Sequence, residues 1–335
     1  MAWIGKRGGR GRRRGARRVV RAYPAYRGHA MLLRIIFLGT SSAVPTARRG
    51  LTSIAVQRGS ELLIFDAGEG MQRNFLQSGL GVNRSTRVFI THMHSDHVLG
   101  LLGFMQTLAL NGRDMPLHIY GPEILREYMD VNTRLLNVNL TYDVHFKAVG
   151  EGVVMEEREY TVKACRAEHT IHSYSYVIEE HDRPGTFYPE RALELGVPKG
   201  RLWHRLQHGE DVLIDGRVVR SSDVTGPKRR GRRIGISGDT RANSRLEEFF
   251  RGCDLLIFDS TFSDDEKGRA VETMHSTARE AAELAARAGV KTLVLTHFSA
   301  RYDDVSMLVK EASMVHNHVI AAEDMMVIDV PYPSD

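Results

Sequence analysis

Four side chains that can ligate a metal ion fall within six consecutive positions of this chain, in His92-Met93-His94-Ser95-Asp96-His97. Imidazole and carboxylate are the ligands that borderline ions such as zinc accept, and proteins rarely crowd them without a metal. The segment follows the apolar run Val88-Phe89-Ile90 and precedes Val98-Leu99-Gly100-Leu101-Leu102-Gly103-Phe104-Met105. That pattern reads as a buried strand, a ligand-bearing loop and the first turn of an apolar helix. His92 and His94, two positions apart, can point the same way, whereas the adjacent Asp96 and His97 are expected to diverge. Two neighbouring metals therefore fit the spacing better than one.

From Met31 onward, short apolar runs alternate with turn signals and helical patterns. Strands are predicted over 32–38, 62–66, 87–91, 117–120, 160–167, 173–179, 233–237, 255–259, 292–296 and 326–330. Helices are predicted over 98–110, 123–132, 244–251, 277–288 and 303–312. The helix after Thr277 has the clearest signals: Thr277 and Glu280 make a capping-box pair, and Gly289 can stop it. Strands interleaved with helices predict an α/β architecture of sheets covered by helices. No apolar run approaches the roughly 18–20 residues that span a bilayer. Two cysteines, Cys165 and Cys253, are too few for a disulfide framework and point to the reducing cytoplasm. Cys165 precedes His169 by four positions, yet a buried place on its strand is the expected role.

Two metals need more than four ligands, and three further candidates stand at strand ends. His169 closes one apolar run, Asp239 follows 233–237 in a Gly-Asp-Thr turn, and His297 follows 292–296. In α/β folds such positions gather at one edge of the sheet. The set becomes five imidazoles and two carboxylates, His92, His94, Asp96, His97, His169, Asp239 and His297, with Asp239 the natural bridge. Two zinc-type ions roughly 3.5–4 Å apart activate a water and stabilise an oxyanion, which suits hydrolysis of a phosphodiester. Asp96 can also accept a proton, His275 is a candidate donor to the leaving oxygen, and Asp259 can orient it.

Charge is unevenly spread. Of 46 bases, Lys6 and nine arginines fall in residues 1–30 with no acid, which leaves 36 bases against 41 acids. Everything after residue 30 is therefore mildly acidic, and the net +5 belongs to the tail. This Arg/Gly-rich stretch lacks an apolar signal core and reads as a disordered RNA-touching arm or as a mis-assigned start ahead of Met31. One internal stretch breaks the alternation. From about 180 to 212 the chain turns polar, with Pro184-Gly185, Pro189, Gly196-Val197-Pro198-Lys199-Gly200 and the bases Arg201 and Arg205, and reads as a protruding arm with a short helix at 190–195. A second basic cluster, Lys228-Arg229-Arg230-Gly231-Arg232-Arg233, precedes a strand.

The His-x-His-x-Asp-His loop at 92–97 resembles the signature of the metallo-β-lactamase superfamily. Within it the chain is similar to the ribonuclease Z family of tRNA 3′-processing endonucleases. That resemblance runs from Met31 to about Val330 and is carried by Phe37-Leu38-Gly39-Thr40, Pro45-Thr46-Ala47-Arg48-Arg49, Phe65-Asp66-Ala67-Gly68-Glu69-Gly70, Gly238-Asp239-Thr240, His275-Ser276-Thr277, Thr296-His297-Phe298-Ser299 and the arm. It implies a four-layer αβ/βα sandwich with two zinc ions or other divalent metals. His92, His94 and His169 would hold one; Asp96, His97 and His297 the other; Asp239 would bridge, and Asp96 would match the general base. The arm, with Arg183, Pro184, Gly185, Arg201 and Arg205, would clamp precursor tRNA across a homodimer. The implied reaction removes the 3′ trailer and leaves a 3′-hydroxyl. Three departures stand out: Asp259 replaces a longer glutamate, 196–200 varies the arm's proline-rich turn, and Gly50 replaces an asparagine of bacterial members.

Two other classes compete. A hydrolase of a small phosphodiester, sulfate ester or thioester would share the metal loop, but a small substrate has no use for a distant polar arm. A non-catalytic RNA-binding scaffold would have no need of seven ligands. An acidic body can still bind RNA through local patches, here 183–205 and 228–233.

Overall fold

Runs such as Leu33–Gly39 and Glu61–Phe65 are apolar at nearly every position, which a strand tolerates only when both of its faces are buried. In the computed structural model, which describes residues 32–333, they are. Leu33, Ile35 and Phe37 enter one cluster while Ile36 and Leu38 enter another, as the twofold alternation of a strand requires. The basic stretch 1–30 and Met31 lie outside the described residues.

Two seven-stranded sheets result. The first runs in the order Val327–Asp329, Leu33–Gly39, Ser53–Arg58, Glu61–Phe65, Ser85–Phe89, Leu117–Gly121, Val144–Ala148. The second runs Val319–Ala321, Thr292–Thr296, Leu255–Asp259, Arg233–Ile236, Tyr174–Glu180, Tyr160–Arg166, Gly152–Glu156. A shared core joins them, with Phe37, Phe65 and Phe89 of the first sheet packed against Tyr176, Ile236 and Ile257 of the second. Helices Met71–Ser78, Gly100–Leu110 and Ile124–Leu135 cover the outside of the first sheet. Ser244–Phe249, Ala278–Arg287 and Ser306–Ser313 cover the second. The layers are helix, sheet, sheet, helix: the four-layer αβ/βα sandwich that the resemblance implies.

Both sheets contain a parallel block, so several strands deliver their C-terminal ends to one edge. In the first, Glu61–Phe65, Ser85–Phe89, Leu117–Gly121 and Val144–Ala148 are parallel. In the second, Arg233–Ile236, Leu255–Asp259, Thr292–Thr296 and Val319–Ala321 are parallel. Asp66, the His loop, Asp239, Asp259 and His297 all sit at such ends.

Every predicted strand and helix is present within two or three residues at most ends. Ser53–Arg58, Val144–Ala148 and Gly152–Glu156 have no matching sequence prediction, because Gln57, Lys147 and Glu156 dilute short runs whose partners come from elsewhere in the chain. The capping box is formed: Glu280 N donates to Thr277 Oγ1 at 3.2 Å and Thr277 N to Glu280 Oε2 at 3.0 Å. Cys165 is buried in the outer core of the second sheet, as expected, and belongs to none of the ligand groups among the described residues.

Between Tyr174–Glu180 and Arg233–Ile236 the chain leaves the sheet over 181–232, a longer excursion than the polar stretch at 180–212. Its second half carries a hairpin, Val212–Ile214 with Arg217–Val219, whose apolar side chains serve the arm itself. Ala192, Val197, Leu206, Val212, Val219 and Val224 form a core separate from the main ones. Composition sees only the polar first half; the partner of its few apolar residues comes later.

Candidate metal centre

Four of the five imidazoles are held by a second contact that leaves the other nitrogen facing the site. Asp66, at the end of Glu61–Phe65, accepts from Thr91 N at 2.7 Å and from Thr91 Oγ1 at 2.9 Å, fixing where the His loop leaves the sheet. The same carboxylate lies 2.8 Å from His97 Nδ1. His92 Nδ1 meets Thr91 Oγ1 at 2.9 Å, His169 Nδ1 donates to the Met274 carbonyl at 3.0 Å, and His297 Nδ1 meets Thr261 Oγ1 at 2.9 Å. Such partners set the tautomer, so Nε2 is the nitrogen that each of the four rings can offer to a metal.

Those lone pairs converge. His92 Nε2 and His169 Nε2 each stand 3.0 Å from His94 Nδ1, and lie 3.6 and 3.9 Å from Asp239 Oδ2. On the other side His97 Nε2 is 3.6 Å from Asp96 Oδ2 and 3.2 Å from Asp239 Oδ2. His297 Nε2 is 3.5 Å from Asp96 Oδ2 and 3.2 Å from Asp239 Oδ1. The seven residues thus form two groups that share Asp239. Asp96 and His97 do not diverge as their adjacency suggested. They lie in a one-turn helix, Ser95–Val98, in place of the expected loop, and both aim back at the same point as the chain turns.

The donor set fits a divalent cation. Asp239 Oδ1 is buried and accepts no hydrogen bond, an arrangement that costs free energy unless a cation completes it. Three imidazole nitrogens facing one another at 3.0 Å have too few protons to satisfy all their lone pairs. The protonation pattern agrees. Burial pushes His92 well below the usual imidazole range, with His97 adding to it. Burial also opposes charge on His97 and His297, but carboxylates outweigh it: Asp239 and Asp66 hold His97 well above its ordinary value, and Asp239 with Asp259 raises His297 to about 10. Protons there neutralise the carboxylates that a metal would otherwise claim.

His275 stands at the rim. Its Nδ1 lies 2.8 Å from Asp259 Oδ2, so the aspartate makes the reach although it is shorter than the glutamate that the sequence resemblance leads one to expect. Asp259 also accepts from Thr240 N and Thr261 N, each at 3.0 Å, which pins it from two sides. Burial lowers the His275 pKa, and Asp259 overrides this to raise it. The groups open on a cleft of about 460 Å³ bordered by Ala43, Ser95, Thr170, Glu272 and Thr273.

Several contributors are not among the site residues the sequence singles out. Asp66 is one, although it ends a predicted strand, as the ligands do. Ala43 N donates to Asp96 Oδ2 at 2.7 Å from a backbone with φ of 53°. Arg241 donates to the His275 carbonyl at 2.6 Å and to both oxygens of Glu280, tying the Gly-Asp-Thr turn to the His275 loop. Asp66→Asn is expected to weaken metal binding roughly 10- to 100-fold. Asparagine tolerates the φ of 60° and keeps one acceptor for Thr91, but its amide faces His97 Nδ1 as a donor and reverses the tautomer. Metal titration of the stripped protein checks this, and unchanged affinity would remove Asp66 from the supporting shell.

The arm residues fall in different settings. Arg183 and Pro184 line a cleft at the arm's base. Gly185 sits where a Cβ would come within 2.0 Å of the Gly226 carbonyl, a packing role. Arg201 is exposed at the start of Arg201–Gln207, and Arg205 pairs with Glu210 at 2.8 Å. The basic cluster 228–233 is largely engaged rather than open. Arg232 is 2% exposed and pairs with Glu180, Arg233 pairs with Glu179, and Arg230 with Asp254. A run of bases looks solvated in the sequence because its acidic partners are up to 54 positions away.

A family model described as beta-lactamase superfamily domain matches residues 206–298, and one described as anti-Pycsar protein Apyc1 matches 33–183. Ribonuclease Z of Nitrosopumilus maritimus is 43% identical over 298 residues, covering 89% of this chain and 100% of that protein. Ribonuclease Z of Myxococcus xanthus is 46% identical over 283 residues, covering 84% of this chain and 92% of the relative. This chain belongs to the ribonuclease Z family. Among solved structures, human tRNase Z, short form, superposes with a TM-score of 0.65 at 28% identity, covering 89% of this chain and 99% of that one. The fold is of the metallo-β-lactamase type. No helix among the described residues is long and apolar enough to cross a membrane.

Proposed function

We propose that this protein is a zinc-dependent endoribonuclease that removes the 3′ trailer of precursor tRNA beside the discriminator base. The observation that carries this is the convergence of seven ligand side chains, sharing Asp239, next to the Asp259–His275 pair at 2.8 Å. Two zinc ions, one on His92, His94 and His169 and one on Asp96, His97 and His297, would supply an activated water and neutralise charge on the phosphate. Asp96, held by the Ala43 N–H, accepts the proton of the attacking water. His275, kept charged by Asp259, gives a proton to the departing O3′. The P–O3′ bond breaks, tRNA leaves with a 3′-hydroxyl, and the trailer keeps the phosphate.

The arm favours this over hydrolysis of a small phosphodiester, since a folded unit with a core of its own serves no purpose for a substrate that fits the cleft. Arg183, Pro184, Arg201 and Arg205 belong to the surface that meets the tRNA, and Gly185 supports it by packing against Gly226. The protein acts as a homodimer with each arm reaching the partner's substrate. Supporting this, Leu110 is 79%, Ile124 59% and Leu135 70% exposed on helices that pack side by side, apolar surface that a second copy would cover. Reduced, buried Cys165 and Cys253 suit a cytoplasmic setting.

Incubation with a 3′-extended precursor tRNA, with and without a chelator, tests the reading. A single chelator-sensitive cut at the discriminator base leaving a 3′-hydroxyl is expected, from a particle of dimer mass by light scattering. Turnover of a small diester with no cut in the tRNA would move the assignment to the small-molecule hydrolases.

A further inference from the structure

The arm is joined covalently to the second sheet alone, at Glu180 and at Arg233. Its two stems form a neck: Arg183 N donates to the Arg229 carbonyl at 2.7 Å, Arg229 N to the Arg183 carbonyl at 3.0 Å, and Glu180 N to the Arg232 carbonyl at 2.9 Å. A paired neck of this kind is stiff along its length but can still tilt against the body. A cleft of about 400 Å³ lies beside it, with Gln207 and His208 of the arm on one side and Arg58 and Arg158 of the body on the other. Close packing does not hold the arm there.

His181 N donates to the Glu159 carbonyl at 2.9 Å on the side of the second sheet, and what ties the neck to the first sheet is the chain's C-terminal segment. Val330 N still pairs with Leu33 O at 2.9 Å, as an extension of the first sheet, and Arg232 Nη1 donates to the Val330 carbonyl at 3.0 Å. Two residues on, the Tyr332 ring lies 3.5 Å from the guanidinium carbon of Arg183 and 3.9 Å from that of Arg232. One ring anchored to the first sheet therefore faces a cation from each stem of the neck. Arg232 is itself oriented by Glu180, at 2.7 and 2.8 Å, and Glu180 also takes Arg58 of the first sheet at 2.9 Å. The Arg232 guanidinium is thus presented to the ring in a fixed place, and partial burial beside the neck strengthens a cation–π contact.

We propose that Tyr332 is a positioning residue that locks the neck of the arm to the first sheet and so sets where the arm stands over the substrate. Its kinetic consequence rests on the reading of the arm given under the proposed function; its structural consequence does not. The hydroxyl is not needed for the contact, so the ring alone should suffice.

The test uses the full chain and three forms: parent, Tyr332→Leu, which keeps apolar volume without a ring, and Tyr332→Phe. Spin labels at Lys199→Cys on the arm and Ser60→Cys on the first sheet, both exposed positions, report the arm's spread by electron–electron distance measurement in an excess of unlabelled protein. Tyr332→Leu is expected to widen that distribution and to raise KM for 3′-extended precursor tRNA roughly three- to thirtyfold, the loss of one or two cation–π contacts. Its kcat and its turnover of bis-p-nitrophenyl phosphate should match the parent, and Tyr332→Phe should restore both the distance and KM. An unchanged distribution overturns the clamp whatever the kinetics. A wider one with KM unchanged keeps the clamp and overturns the arm's part in holding tRNA. Equal loss of diester turnover and thermal stability would make Tyr332 a packing residue only, against the proposal.

Discussion

Asp239→Ala is expected to empty both metal groups and to lower precursor-tRNA cleavage by at least roughly a thousandfold. The carboxylate is the one side chain shared by the two clusters, with Oδ2 facing His92, His97 and His169 and Oδ1 facing His297. Without it each group keeps three ligands and loses the negative charge that binds them into one site. The fold should survive. Oδ1 is unpartnered in the metal-free protein, but His97 and His297 balance the charge, so the stripped variant should melt below the stripped parent and remain folded. His97 and His297 then lose their main raising partner and become neutral within the core. What disappears is the rise in Tm that the parent gains from added metal, since only a state that binds ligand is stabilised by it. Metal content by mass spectrometry, melting with and without zinc, and cleavage rate together check the claim. A variant that retains metal and turnover would show that the two groups do not depend on the shared ligand.

Excising residues 184–228 and closing the gap with a two-residue turn should separate the arm's task from the chemistry. Arg183 and Arg229 face each other as an antiparallel pair, a spacing of about 5.5 Å that a tight hairpin turn spans. The arm's apolar residues pack on one another, and the pairing of Tyr174–Glu180 with Arg233–Ile236 lies below the cut, so the body should fold without it. KM for precursor tRNA is expected to rise on the order of a hundredfold, as phosphate contacts distant from the cut are lost. Turnover of bis-p-nitrophenyl phosphate should change by no more than about twofold, because every group that handles the reacting atoms stays in place. Comparable losses on both substrates would mean that the arm supports the fold.

The legibility of each feature in the chain follows the range of the interactions that make it. His92, His94, Asp96 and His97 are visible because a metal-ligand cluster is a local pattern, and His169, Asp239 and His297 because each ends an apolar run. The capping box at Thr277–Glu280 and the layered fold follow from equally local rules of periodicity and capping. Asp66 also ends an apolar run, but nothing along the chain marks its work, which is to orient His97 and hold Thr91 across 31 and 25 positions. Adjacency predicts that Asp96 and His97 part company, since side-by-side residues diverge on a strand, and only the helical turn at Ser95–Val98 brings them to one point. The bases at 228–233 read as an open patch along the chain, whereas their acids arrive from other strands. Sequence alone therefore determined which residue types carry the chemistry and the period of the elements that hold them, because both are set by neighbours along the chain. Tertiary structure alone decided which tautomer each histidine presents, which arginines remain open, and that Tyr332 meets both stems of the arm. Those are properties of strand ends and side chains brought together across two sheets, and charge and hydrogen bonding depend on distance in space.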